Sequence, residues 1–306
     1  LPTVSILIAA YNAQEFIARA IESALAQTVL PHEIIIVNDA STDDTADVLD
    51  RFARKSELVS VHHLAVNSGP AAARNIGLDV ATGDYLAILD ADDAIESSFI
   101  DSIVNAIELY PAHVYATNFY WYDIARGEPL AKGLAQSEKV KEVNKYDFVK
   151  GARPYSEEAD YGLLQPVFST SFLRQNQLRY PTDIRHGEDF SLLVNLLLCD
   201  AKLVVLKAPL YLYTTRDSGF SQTIPDYPKM ADETLKLCHQ SSVKNDDRLV
   251  SLLKQRATAL KRLNASILLN SHRQKKQYRA MASSLVSNSA YRKLMVKAVI
   301  NKALRK

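Results

Sequence analysis

Three carboxylates stand within four residues, Asp90-Ala91-Asp92-Asp93, directly after the apolar run Tyr85 to Leu89. Oxygen ligands of this kind suit Mg2+ or Mn2+, ions that usually share their coordination with substrate phosphates. Asp90 and Asp92, two apart, can converge on one such ion. A solvated turn with helix-capping acids has the same composition, so position has to decide. In open α/β sheets ligands bind beyond the carboxyl ends of the strands, and that is where this group falls.

Other chemistry-bearing residues sit at similar places. Asp39, in Val37-Asn38-Asp39-Ala40-Ser41, follows a second apolar run and can accept a hydrogen bond from the N–H of a pyrimidine base. It can also start a helix, although Ser41 is the better cap. Tyr11, at the end of the first run, can pack its ring on such a base or serve as ordinary packing. Arg74 lies about one turn into the helix opened by Ser68-Gly69-Pro70. From there a guanidinium reaches diphosphate oxygens or makes a surface ion pair. In the second half, His186-Gly187-Glu188-Asp189-Phe190 precedes an apolar helix. A carboxylate there can take the proton of an attacking hydroxyl, or simply complement the helix dipole. His186 reads as a loop residue.

The elements that must position these residues alternate. Thr3 to Ala9, Glu33 to Val37, Leu58 to Leu64, Tyr85 to Leu89 and His113 to Phe119 read as strands. Between them lie helical patterns, one opened by Asn12 with Glu15, one by Ser41 with Asp44, one over Ala71 to Ala81, and one from Ser97 or Ser98 to Pro111. Such alternation predicts an α/β fold with a mostly parallel sheet flanked by helices. Trp121 to Pro154 reads as a loop-rich excursion, Phe190 to Leu198 as a helix, and Leu203 to Leu206 as a short strand. From about Pro228 onward the pattern is helical, with neither glycine nor proline after that residue.

The chain has 306 residues, 47% hydrophobic and 23% charged, enough for a substantial core. Cys199 and Cys238 are far apart and belong to no Cys/His cluster, which favours a reducing compartment over a disulfide or zinc site. The apolar runs are strand-sized, and Val4 to Ala10 has no basic region before it, so a cytoplasmic location is expected. The net charge of +1 conceals an asymmetry: no acid follows Asp247, whereas fifteen Lys and Arg do. Tyr291, Leu294, Met295, Ala298 and Val299 form one helical stripe amid basic residues. This helix can lie on an anionic membrane surface or pack on protein, including a second copy in a homodimer.

In this order and spacing, the pieces resemble the family 2 glycosyltransferases, which adopt the GT-A fold. The resemblance rests on Val4 to Asn12, Glu33 to Asp43, Asn67 to Gly77, Ala81 to Tyr85 and Leu89 to Asp93. It implies a catalytic domain over residues 1–224, with a nucleotide-sugar-binding half to 120 and an acceptor-binding half from 121. Residues 225–306 are left as a basic helical extension. It also implies an inverting transfer from a nucleotide-sugar, UDP-linked by preference, to a hydroxyl of a saccharide or lipid-linked saccharide. Tyr11 and Asp39 would hold the base with Ala9 beside them. Arg74 and Asp92 would hold the diphosphate and metal, and Asp90 with Ala91 the ribose or metal side. Asp189 would be the general base, assisted by Glu188. Arg216 and Ser218, in a segment resembling the family's flexible loop, would close over the diphosphate. Ala9-Ala10 departs from the Pro-Thr of many relatives and should alter only the turn beside the nucleotide.

Other readings are weaker. A sugar nucleotidyltransferase would want a glycine-rich basic loop after the first strand, where Ala9-Ala10-Tyr11-Asn12 stands. A dehydrogenase would need G-x-G-x-x-G, which is absent. Nucleic acid is not an expected partner, because the body is acidic and the tail carries no recognised binding motif. A catalytically silent sugar- or membrane-binding protein on the same fold stays open; intact Asp90, Asp92 and Asp189 weigh against it.

Overall fold

The computed structural model describes residues 1–135, 138–154, 161–184, 186–215 and 225–274. Strands and helices alternate at first: β1 (Val4–Ala10), α1 (Ile17–Leu25), β2 (Glu33–Asn38), α2 (Thr45–Lys55), β3 (Val59–His63), α3 (Pro70–Val80) and β4 (Tyr85–Ile88). Then come β5 (Ala94–Ile95), α4 (Phe99–Leu109), β6 (Val114–Asp123), β7 (Glu128–Lys132), β8 (Val140–Val143) and α5 (Lys145–Gly151). The rest comprises β9 (Pro166–Ser169), α6 (Thr170–Gln175), α7 (Glu188–Leu198), β10 (Leu203–Thr215), α8 (Tyr227–Leu237) and α9 (Asp247–Gln274).

Among the described residues, ten strands join one sheet in the order β3-β2-β1-β4-β9-β6-β10-β5, with β7 on β6 and β8 on β10. β1, β2, β3 and β4 pair in parallel, as do β6 and β10. β9 runs against both β4 and β6, so those two groups point the same way. The expected α/β sheet flanked by helices is the one observed. β1 and β2 are apolar on both faces because helices cover both, and Ile6, Leu7, Ile8, Ile34, Ile35 and Ile36 are fully buried. α1 turns Ile17, Ala20, Ile21 and Ala24 inward at helical spacing. α3 approaches β1 closely through Gly77, where any Cβ would collide with the Leu7 side chain.

Several local expectations are corrected. Asn12 does not cap α1. Its Oδ1 accepts from Thr42 N, its own φ is 48°, and the helix starts at Ile17. Ser41 does not cap α2 either, because its hydroxyl donates to Asn38 Oδ1. The excursion after Trp121 is more regular than it reads: β6 continues to Asp123 and folds back as a hairpin with β7, while β8 adds to β10. β10 does not stop at Leu206. Pro209 breaks the register without ending the strand, the form in which a sheet tolerates proline. α8 and α9 supply Leu237, Leu249 and Leu253 to the main core, so their described part packs on the body. Among the described residues no helix is long and apolar enough to cross a membrane. Arg216, Ser218 and the basic stripe after Tyr291 lie outside the described residues.

Candidate active site

The loops after β1 and β2 are laced together by side-chain bonds to backbone. Ala13 N donates to Thr45 Oγ1 at 2.8 Å, Asp44 N to Gln14 Oε1 at 2.8 Å, and Asn12 N to Ser41 Oγ at 3.0 Å. Two non-glycine residues adopt left-handed backbone here, Asn12 and Ala40, the kind of local strain that clusters at functional sites. Tyr11 stands out from the first of these loops, 51% exposed.

Asp39 is placed differently. It is only 3% exposed, and its carboxylate accepts from Ser68 N at 2.7 Å and Gly69 N at 2.8 Å. Gly69, at φ 87°, directly precedes α3, so Asp39 fixes the entry of that helix. Arg74, one turn along, inherits its position from that anchor.

Arg74 is the hub of the site. Its Nη2 donates to Asp90 Oδ1 at 2.8 Å; its Nη1 donates to Glu188 Oε1 at 2.9 Å and Asp189 Oδ1 at 3.4 Å. The guanidinium also lies 5.3 Å from the centre of the Tyr180 ring. Burial opposes its charge, but Asp189 and Asp90 outweigh that and hold its pKa well above the usual range. Glu188 and Asp189 form the first turn of α7, which Gly187 enters at φ 86°. Burial, then the neighbouring Asp189, push Glu188 up to about 7 against the pull of Arg74. Burial likewise raises Asp189, with Arg74 opposing and Asp90 adding to the rise.

The Asp90 to Asp93 turn is held from β10 and from Gln165, just before β9. Gln165 Nε2 donates to Asp90 Oδ2 at 2.6 Å, so both Asp90 oxygens have donors. Asp90 N donates to Tyr211 Oη at 3.1 Å, and that hydroxyl donates to Asp93 Oδ2 at 2.8 Å. Thr214 N completes the set on Asp93 Oδ1 at 2.8 Å. Burial, then Asp90 and Asp92, push Asp93 well above the ordinary carboxylate range.

A cavity of about 980 Å³ opens where these pieces meet. Ala9, Tyr11, Arg74, Asp90, Ala91 and Asp92 line it together with the apolar and aromatic side chains of Trp121, Leu163, Tyr213 and Tyr227. The structure therefore gathers most of the residues singled out in the sequence at the carboxyl ends of β1 and β4. Asp189 joins them through Arg74, and neither it nor Asp39 is among the residues that line the cavity. Among the described residues, no group of three or more His, Cys, Asp or Glu is arranged to hold a metal with protein ligands alone. Gln165, Trp121, Tyr211 and Tyr213 are parts of the site that the sequence reading missed. Tyr211-Leu212-Tyr213 carried a signal, since alternate residues of a strand share a face, and the two rings lie 4.9 Å apart. Gln165 carried none.

The sequence profile described as Glycosyl transferase family 2 matches residues 5–180. The chain is 29% identical over 223 residues to the succinoglycan biosynthesis protein ExoO of Rhizobium meliloti, covering 73% of this chain and 64% of that protein. It is 26% identical over 223 residues to the glycosyltransferase GlyG of Streptococcus pneumoniae, covering 72% and 73% respectively. Its fold is similar to the crystal structure of residues 1–349 of S. aureus TarS in complex with UDP-GlcNAc. The TM-score is 0.66 at 20% identity, over 83% of this chain and 72% of that one. With a profile spanning more than half of the residues and a matching fold, the chain belongs to glycosyl transferase family 2.

Proposed function

We propose that this transferase moves a sugar from a nucleotide-sugar to a hydroxyl of a saccharide acceptor, with inversion at the anomeric carbon. The observation that carries the reading is the Arg74 hub: Arg74 and Asp90 line the cavity, and Asp189 is tied to them by the Arg74 guanidinium. The acceptor hydroxyl attacks the anomeric carbon from the face opposite the diphosphate. Asp189 takes its proton as the new C–O bond forms, and the bond to the diphosphate oxygen breaks. A carboxylate raised above its ordinary range is the better base for that step near neutral pH. Arg74 orients Asp189 by its direct bond and adds positive charge near the leaving group. Glu188 shares the same guanidinium and fixes its direction.

The donor set fits a hard divalent cation as a site shared with donor phosphates. Asp92, on the cavity wall, is the carboxylate we assign to Mn2+ or Mg2+; Asp90, with both oxygens already accepting N–H bonds, is the supporting ligand. Such an ion, when bound, neutralises charge developing on the departing diphosphate. Tyr11, with Ala9 and Ala91 beside it, is assigned to the base and ribose end. We assign Asp39 to a uracil N–H through its remaining lone pairs, in addition to its bonds to Ser68 and Gly69. Arg216 and Ser218 are retained as the residues that close over the diphosphate.

UDP is the preferred nucleotide, a choice supported by the UDP-GlcNAc held by TarS. A role in bacterial polysaccharide synthesis is supported by the similarity to the succinoglycan biosynthesis protein ExoO, and work at the inner face of a membrane on a lipid-linked acceptor is the reading that suits the basic stripe after Tyr291. Residues 1–224 would be the catalytic domain and 225–306 a basic helical extension, with the stripe after Tyr291 assigned to the membrane surface; liposome flotation with and without residues 285–306 tests this.

The deciding assay measures sugar transfer and donor hydrolysis from UDP-, dTDP- and GDP-sugars with Mn2+, beside Asp92→Ala. Metal-dependent turnover that collapses in the variant is expected. A silent binding protein would show no turnover with any donor.

A further inference from the structure

The site depends on where α7 begins, and contacts from the C-terminal helices converge there. Phe190 follows Asp189 directly and is buried. Its ring stacks with Phe148 of α5 at 5.7 Å, and the Arg256 guanidinium carbon of α9 lies 3.4 Å from its centre. Arg256 is itself 5% exposed. Its Nε donates to Ala152 O at 3.0 Å, just beyond α5, and its Nη1 donates to Thr234 Oγ1 of α8. Thr234 in turn donates to Met230 O at 2.8 Å. The Met230 side chain packs on Gly187, where a Cβ would come within 3.2 Å of its terminal methyl. One guanidinium therefore ties α5, α8 and α9 to the residue beside Asp189.

We propose that Arg256 is a positioning residue for the transfer reaction, setting the first turn of α7 and with it the Asp189 carboxylate. This rests on the reading of Asp189 as the base. The chemistry required is specific to arginine. A planar fork can stack on a ring while donating in its own plane to a carbonyl and a hydroxyl. A lysine ammonium keeps the charge but cannot make that set. Burying a cation is costly, and a simple helix contact would be made more cheaply by leucine or methionine. Asp189 is one residue from the stacked ring, so a displacement of Phe190 moves the carboxylate relative to the attacking hydroxyl, and rate is steeply sensitive to such offsets.

The test compares Arg256→Lys, Arg256→Met and Leu269→Ala, the last removing buried packing thirteen residues further along the same helix. Each is assayed for kcat, donor and acceptor KM, and the acidic limb of the kcat–pH profile, well below its own Tm. For both Arg256 variants kcat should fall about tenfold or more with donor KM changed by less than about twofold, and the acidic limb should move. Leu269→Ala should keep kcat and the limb at a similar loss of Tm. Arg256 variants with unaltered kcat, or with no more loss than Leu269→Ala at matched Tm, would overturn the proposal. Asp189→Asn is measured in parallel: if it retains turnover, the base assignment fails on its own account, whatever Arg256 does.

Discussion

Arg74 and Glu188, 114 residues apart in the chain, meet at 2.9 Å with each side chain only 8% exposed. The same guanidinium holds Asp90, from the end of β4, and Asp189, from the start of α7. One buried cation thus joins the end of β4 to the start of α7.

Removing that cation should be severe. Arg74→Ala leaves Glu188 and two partly buried aspartates without their shared counter-charge. A loss of about 3–5 kcal/mol in urea unfolding is expected at neutral pH. Arg74→Lys should recover only part of it, because an ammonium cannot fork between Asp90 and the α7 pair. Unfolding midpoints within error of the parent for Arg74→Ala would contradict the hub.

Glu188 makes stability depend on pH in a stated direction. Folding raises its pKa from 4.5 to about 7, so the folded state binds its proton more tightly than the unfolded chain. Its stabilising contribution is full below about 4.5 and is lost as the pH rises to about 7. Relative to Glu188→Gln, the parent protein should therefore lose stability across that window. Thermal melts of both proteins at intervals of pH will read the slope, and a parent protein that gains stability relative to Glu188→Gln as the pH rises refutes the assignment.

Asp39 has a scaffold role that needs no nucleotide. Asp39→Ala strips the acceptors from Ser68 N and Gly69 N at the entry of α3. Unfolding without donor should show a loss of about 2–4 kcal/mol, from two unmet backbone donors. If stability is unchanged and only donor affinity falls, the carboxylate serves the base and not the turn.

The aromatic side of the cavity is assigned to the acceptor. Trp121 and Tyr213 both line it, with ring centres 5.4 Å apart. Trp121→Ala should raise acceptor KM about tenfold, the loss of one good aromatic contact, and leave donor KM nearly unchanged. A rise in donor KM instead would place the nucleotide against this wall.

Much of this protein could be read before its structure. β1, β2 and β4 announce themselves as apolar runs because a strand covered on both faces must be apolar throughout, and the acids Asp39 and Asp90 mark where two of those runs end. Local chemistry suffices for such features, since strand, turn and cap preferences act within a few residues. It failed where a bond left its neighbourhood: Asn12 looked like a cap but binds Thr42, and the strand read as ending at Leu206 runs on through Pro209 as β10. Tertiary structure alone decided that Arg74 faces Asp90, Glu188 and Asp189 instead of solvent, and that Arg256 lies on Phe190. No periodicity encodes those meetings. They follow from how the completed fold brings the first turn of α7 to the guanidinium that also holds Asp90, and the free energy of such contacts depends on burial that the whole chain creates together.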